Sequence, residues 1–379
     1  MICRITHLVF HESGPYNFQQ LILSFLAILL FSSCNSINSS SEDSLASIPY
    51  APTAYDLNVP KFLGSMDLPK DNPLTVEGVA LGRRLFYDPI LSADSTMSCA
   101  TCHIASANFT DRQAFSKGVD GKNGKRSAMS LLNVGFYNKG LFWDGRAKTL
   151  EEQALIPVED PIELHESWPN VERKLREHAK YPTHFRKAFG ILQKQEITKE
   201  MTVKAIAQFE RTLISRGDSR FDRFRKGEIE LTPDEQMGYD LFFDISPEIK
   251  DAECGNCHNE PLFTDNNYVN NGLDETKDLT QFADLGRGAV TNSIYKNGTF
   301  RVPSLRNIEL TAPYMHDGRF KTLEEVIEHY DRGGEPAMNV HSLIRPLNLT
   351  NQEKKQLLVF LKTLTDNTFV NNPAYQSPF

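Results

Sequence analysis

Two short stretches, CATCH at residues 99–103 and CGNCH at residues 254–258, decide how this chain folds. Each has two cysteines separated by two residues, and a histidine directly follows the second cysteine. Redox disulfides and half-sites of zinc clusters also use this cysteine spacing, but neither needs the histidine. Haem c attachment needs all three groups, because the thiols add to the porphyrin vinyl groups and the imidazole binds iron. The sequence therefore predicts two haem c groups. Their attachment and iron-binding residues are Cys99, Cys102, His103, Cys254, Cys257 and His258.

The charge balance argues against a nucleic-acid partner. The 379 residues include 41 Lys and Arg against 49 Asp and Glu, so the net charge is -8, and no basic block occurs. Nucleic-acid binding proteins usually carry a basic patch. The length suffices for one large domain or two ordinary ones.

The N-terminus is typical of an exported protein. The apolar run LILSFLAILLF at residues 21–31 is too short to span a bilayer and is followed by small residues and Cys34. We therefore predict a signal peptide over residues 1–34. It resembles a bacterial lipoprotein signal, in which Cys34 would be lipidated and would anchor the protein to a membrane, but ordinary cleavage is an open alternative. The polar residues 35–54 are predicted to be a flexible linker.

Each haem motif lies inside a longer repeated unit. FWDGRAKTLEEQ at residues 142–153 returns as MHDGRFKTLEEV at residues 315–326, and SLLN at residues 130–133 returns as SLRN at residues 304–307. Such self-similarity indicates an internal duplication. We predict a mostly α fold with two tandem cytochrome c-like haem domains. Their bounds are residues 55–220 and 221–379.

The TLEE segments predict a helix in each copy, because Thr149 or Thr322 can cap it with a glutamate three residues later. One face of the second helix carries Leu323, Val326, Ile327 and Tyr330; the same face of the first carries Leu150, Gln153, Ala154 and Pro157. If this face covers the haem, the phenol oxygen of Tyr330 can bind iron, whereas Pro157 has no donor. The alternative is that Tyr330 is a core aromatic residue. The second iron would then take its ligand from His329, Met315 or Met338.

The first haem is predicted to have an open iron, since no histidine occurs between His103 and His165. Peroxide cleavage needs a group that moves a proton between the two oxygens, and a partly buried carboxylate can do this. Four acids follow the first helix, and Glu163, between Ile162 and Leu164, is the best candidate. The alternative is that these acids are surface charges. The four are Glu159, Asp160, Glu163 and Glu166.

From about residue 55 to the C-terminus, the chain resembles the bacterial dihaem cytochrome c peroxidase and MauG family. The resemblance rests on both haem motifs, FWDGRAKTLEEQA, AIAQFERTLIS, RVPSLRNIELTAPYMHDG and IRPLNLTNQEK. It implies a peroxidatic first haem, an electron-transferring second haem, and Trp143 on the path between them. It assigns Gln153, Pro157 and Glu163 to a peroxide pocket. It also implies one calcium ion, bound by backbone oxygens at Thr311 and Pro313, with Ser127 in place of the family's asparagine.

Two departures from the best-known peroxidases of that family are similar to MauG. Residues 109–127 contain no histidine that could cap the first haem, and Tyr330 stands where those enzymes place methionine. Three hypotheses follow. The first is a peroxidase that reduces hydrogen peroxide with electrons from a small cytochrome c or cupredoxin. The others are a MauG-like oxidase that modifies a partner protein, and a dihaem protein that only transfers electrons.

Overall fold

The computed structural model describes residues 44–379, which are mostly helical, as predicted. The predicted signal peptide, Cys34 and the first part of the linker lie outside these residues. Between residues 44 and 379, no helix is long and apolar enough to cross a membrane. The helices are α1 (Val76–Tyr87), α2 (Cys99–Cys102), α3 (Leu150–Glu159), α4 (Trp168–Glu177), α5 (Tyr181–Phe189), α6 (Lys199–Glu210), α7 (Arg220–Arg225), α8 (Pro233–Phe243), α9 (Arg287–Thr291), α10 (Leu323–Asp331), α11 (Asn351–Lys362) and α12 (Asn367–Val370). Two short strands, β1 (Tyr268–Val269) and β2 (Phe300–Arg301), pair antiparallel.

Two helix pairs make the closest backbone contacts. A Cβ atom added at Gly82 of α1 would lie 1.8 Å from the carbonyl oxygen of Ala205 in α6. One added at Gly238 of α8 would lie 2.1 Å from the carbonyl oxygen of Gln356 in α11. Only glycine permits such close packing. Each haem motif therefore follows a helix that is locked against a later helix of the chain.

The hydrophobic residues form three clusters. Two are built mainly from residues 81–213, and the second of these also includes Phe369 and Tyr375 near the C-terminus. The third is built from residues 221–364. Residues 44–379 nevertheless pack as one unit. The division into domains near residue 220 stays a prediction.

The described end of the predicted linker is packed against the protein. The backbone N–H of Leu45 donates to the carbonyl oxygen of Leu192 at 2.8 Å, and Arg186 donates to the carbonyl oxygen of Ile48 at 2.9 Å. The Tyr50 ring also lies against this arginine. Residues 44–54 thus differ from the flexible segment that we expected, because apolar Leu45 and Tyr50 and the backbone find partners there.

The TLEE helices begin as the sequence predicts, with one difference. Thr149 and Thr322 each accept a hydrogen bond from the backbone N–H three residues later. The reciprocal bond forms in the second copy, where Glu325 accepts from the N–H of Thr322. In the first copy Glu152 accepts from the N–H of Lys148 instead, so the full capping box predicted there is absent.

Candidate active site

The histidines of the two haem motifs make the same kind of contact. His103 Nδ1 lies 2.8 Å from the carbonyl oxygen of Phe109, and His258 Nδ1 lies 3.1 Å from that of Phe263. Both phenylalanines adopt the left-handed conformation, with φ of 60° and 55°. Such a contact fixes the ring and leaves Nε2 to bind a metal.

The four cysteines of residues 44–379 are free thiols, so neither pair forms a disulfide. Burial raises the pKa of the Cys102 thiol to about 11 and that of Cys254 to about 12. Reactive redox cysteines have the opposite shift. The thiols and imidazoles therefore fit covalent haem attachment better than redox exchange.

A large cavity adjoins the second motif. It contains roughly 1830 Å³ of space, part of it open to solvent. Its walls include side chains from both sequence copies, so the region beside the second motif is continuous with residues of the first copy. Among the lining residues are Cys254, Cys257, His258, Met315, Tyr330, Trp143, Met129 and Tyr137.

Tyr330 lines this cavity. Its hydroxyl oxygen accepts a hydrogen bond from Asn271 Nδ2 at 3.1 Å, and burial raises the phenol pKa to about 12. The same amide lies 3.4 Å from Met315 Sδ, which also lines the cavity. The other two candidate ligands are placed elsewhere. His329 Nε2 is bonded to the carbonyl oxygen of Asn271 at 2.9 Å, and Met338 is 74% exposed.

Glu163 lies beside the first haem motif. Its negative charge contributes to the raised pKa of both the Cys99 and Cys102 thiols. Burial is the main reason that the pKa of Glu163 itself is raised to about 7, and the neighbouring Asp160 adds to the shift. A carboxyl group with this pKa can both accept and release a proton near neutral pH.

The other three acids are in settings that do not suit proton transfer. Burial opposes ionisation of Glu166, but Lys174 at 2.6 Å outweighs it and lowers the carboxyl pKa. Glu159 is exposed to solvent. Asp160 accepts a hydrogen bond from the N–H of Ile162 at 2.9 Å. Of these three acids only Glu159 is exposed, whereas Glu166 is held in its ion pair with Lys174 and Asp160 is half-buried.

The loop without histidine is held against the Glu163 segment. The N–H of Val119 donates to the carbonyl oxygen of Glu163 at 2.8 Å. A Cβ atom at Gly118 would lie 2.2 Å from the carbonyl oxygen of Ile162, so the two backbones touch. In α3, Gln153 and Pro157 are both half-buried, one turn apart. Backbone contacts therefore hold the loop against the segment that carries Glu163.

Trp143 and the predicted calcium-binding residues line the large cavity. Trp143 Nε1 donates to the carbonyl oxygen of Ser127 at 3.0 Å, and Ser127 Oγ donates to that of Met315 at 2.9 Å. Thr311 and Pro313 lie on the same wall. Within residues 44–379, no group of three or more His, Cys, Asp or Glu side chains could hold a metal ion. A cation here would depend on backbone and hydroxyl oxygens.

Glu210, at the end of α6, belongs to no sequence motif that indicated a functional site. It is 4% exposed, and its Oε2 atom has no hydrogen-bond partner. Burial raises its pKa to about 8, and its charge acts on the Cys99 thiol. The sequence signal was an acidic residue directly after Phe209 in the predicted amphipathic helix.

Comparison with known proteins identifies the family. A family model described as di-haem cytochrome c peroxidase matches residues 76–230. The chain is 36% identical to the methylamine utilization protein MauG of Methylorubrum extorquens, over 79% of this chain and 81% of that protein. The chain belongs to the dihaem cytochrome c peroxidase and MauG family.

Other members of this family are similarly close. Cytochrome c551 peroxidase of Nitrosomonas europaea is 37% identical over 77% of this chain and 81% of its own length. A solved MauG-like protein associated with microbial copper homeostasis is 36% identical, with a TM-score of 0.79. The match covers 86% of this chain and 99% of that one. The protein is therefore a dihaem c-type protein of the peroxidase type.

Proposed function

We propose that the protein reduces hydrogen peroxide to water at the haem attached through Cys99 and Cys102. The observation that carries this proposal is Glu163, a half-buried carboxyl group with a pKa near 7 beside those cysteines. The haem, when bound by His103, supplies an iron that accepts and donates electrons. Glu163 takes a proton from one peroxide oxygen and returns it to the other. Gln153 supplies an amide N–H that can orient the peroxide.

Cys254, Cys257 and His258 would hold the second haem, which would supply electrons to the first. Trp143 lines the cavity beside His258 and belongs to the first sequence copy, which supports its assignment to the path between the haems. The electron donor would be a small cytochrome c or cupredoxin. The repeated geometry at His103 and His258 supports two tandem haem domains that arose by duplication.

Steady-state kinetics test this function. Peroxide should be consumed with stoichiometric oxidation of a reduced small cytochrome or cupredoxin. If both haems are attached and peroxide causes no change in absorbance, the protein only transfers electrons.

A second function is favoured by Tyr330, which lines the cavity with His258. A tyrosine ligand stabilises oxidised iron and makes the second haem a poor acceptor of electrons from a donor. We therefore keep a MauG-like oxidase that modifies a partner protein as the alternative. It predicts that peroxide oxidises the protein without turnover of a small donor.

Calcium binding is a further part of the proposal. Ser127, Thr311 and Pro313 lie on one cavity wall, and calcium prefers oxygen ligands, including backbone carbonyls. Chelation followed by calorimetric titration tests it: calcium should bind with one-to-one stoichiometry, and Ser127→Ala should weaken it. No heat of binding in the wild type would remove calcium from the proposal.

We also propose export through the signal over residues 1–34, with Cys34 as a lipid anchor. The support is the sequence pattern, together with haem c attachment in an exported protein. Mass spectrometry of the mature N-terminus tests it, since a diacylglycerol adduct on Cys34 distinguishes lipidation from ordinary cleavage.

A further inference from the structure

Arg301 is a buried cation without an acidic partner. It ends β2 and is only 3% exposed, and its backbone N–H donates to the carbonyl oxygen of Trp143 at 2.8 Å. No Asp or Glu of residues 44–379 forms an ion pair with its guanidinium. The side chain lines the large cavity that adjoins the second haem motif.

The hydrogen-bond partners of the Arg301 guanidinium are neutral and distant. Nε lies 3.4 Å from the carbonyl oxygen of Phe142, Nη1 lies 3.2 Å from Asn266 Oδ1, and Nη2 lies 3.5 Å from Met129 Sδ. One guanidinium face lies 4.1 Å from the ring centroid of Tyr137. A guanidinium has five N–H donors, so these contacts leave two without a partner.

Other buried arginines of the described chain are better satisfied. Arg306 donates twice to Asp222 at 3.0 Å, and Arg211 donates twice to Glu151 at 2.8 and 3.0 Å. Arg186 has no acidic partner, but it donates to three backbone carbonyl oxygens at 2.6–3.2 Å. The Arg301 guanidinium has neither arrangement.

A buried guanidinium cannot lose its proton, so its charge needs a negative partner. The geometry matches a carboxylate, which arginine binds through two parallel N–H donors. Haem c carries two propionate carboxylates. We propose that Arg301 binds a propionate of the haem attached at Cys254 and Cys257. This inference uses the two-haem assignment of the proposed function but not its peroxide step.

The second haem is chosen because of the residues that line the cavity. The cavity that Arg301 lines also includes Cys254, Cys257 and His258, but none of the first-motif cysteines or His103. The same positive charge favours an electron on the haem that it adjoins. Arg301 therefore makes the second haem easier to reduce.

Redox titration of the holoprotein, followed separately for each haem by electron paramagnetic resonance, tests this inference. Arg301→Gln should make reduction of the second haem about tenfold less favourable, which is about 59 mV for one electron. Arg301→Lys keeps the charge and should restore the equilibrium to within about threefold. Arg186→Gln is the matched control, since it removes a buried arginine from another cluster and should leave the second haem unchanged.

The outcomes separate the alternatives. An unchanged second haem in Arg301→Gln overturns the proposal, and a shift confined to the first haem assigns the propionate there instead. If Arg301→Gln does not fold, resonance Raman of Arg301→Lys decides: a displaced propionate bending band supports the contact and an unchanged band refutes it. No peroxide is used, so failure of the peroxidase function would not affect this result.

Discussion

Glu163 shows how burial, rather than residue type, separates one acid from its neighbours. Four carboxylates lie at the end of α3 or after it, and only Glu163 combines a raised pKa with a position beside Cys99 and Cys102. The sequence suggested it because apolar residues flank it. The sequence did not reveal the ion pair between Glu166 and Lys174, because that contact joins the pocket segment to α4.

We expect Glu163→Gln to slow peroxide turnover by roughly 100- to 10,000-fold while both haems stay attached, because glutamine cannot accept the proton. The wild-type rate should rise as the pH increases through about 7, where the carboxylate form replaces the acid. Stopped-flow rates across this range test both effects. Glu166→Gln and Glu159→Gln are the controls; equal losses in all three variants would indicate a general electrostatic effect.

Tyr330 and Met315 share one hydrogen-bond donor, Asn271, and both line the cavity beside His258. If Tyr330 binds the second iron, Tyr330→Met should raise that haem's reduction potential. The change should be on the order of 100 mV, within the roughly 0.8 V range over which axial ligands act. Resonance Raman should show a tyrosinate–iron band in the wild type that the variant lacks.

The control is Tyr330→Phe, which removes the oxygen and keeps the ring. If this variant leaves the second haem's potential unmoved and the wild type shows no tyrosinate band, Tyr330 is a core residue. Met315 is then the next ligand to test, because His329 and Met338 do not line the cavity.

At the scale of elements, helix starts were readable from the sequence because caps are local. Thr149 and Thr322 each begin a helix as predicted, since the capping bond spans only three residues. The sequence did not show that Glu152 accepts a hydrogen bond from the N–H of Lys148 rather than from that of Thr149, because the same TLEE residues allow either bond. The long-range hydrogen bond between Leu45 and Leu192 was not expected, because the polar composition of residues 35–54 is typical of a flexible segment.

The loop over residues 109–127 makes a prediction of its own. It offers no histidine to the first iron, and Val119 is fixed to the Glu163 backbone. The fully oxidised protein should therefore bind cyanide at one haem without prior reduction. Absorbance titration with cyanide tests this. Binding that begins only after one-electron reduction would reveal another ligand on the iron of His103.

For the molecule as a whole, the sequence revealed two copies because covalent haem attachment requires the same cysteine and histidine residues in each motif. What the copies share in space is the contact from histidine Nδ1 to a left-handed phenylalanine. The ion pairs that connect the two copies could not be predicted from the sequence. Arg126 binds Asp144 of the first copy at 2.6 Å and Asp284 of the second at 2.7 Å. Asp284 belongs to residues 266–303, a connection much longer than residues 112–129 of the first copy.

The first haem is proposed to reduce peroxide and the second to receive electrons, so removing each haem should have a different effect. Replacing Cys254 and Cys257 with alanine should abolish peroxide reduction with a protein donor, because electrons then lack an entry point. Cyanide binding at the first haem should persist. Replacing Cys99 and Cys102 is the matched control: cyanide and peroxide responses should disappear, while the second haem still accepts an electron. Haem content by pyridine haemochrome should fall by half in each variant. Retained donor turnover without the second haem would show that electrons enter at the first haem directly.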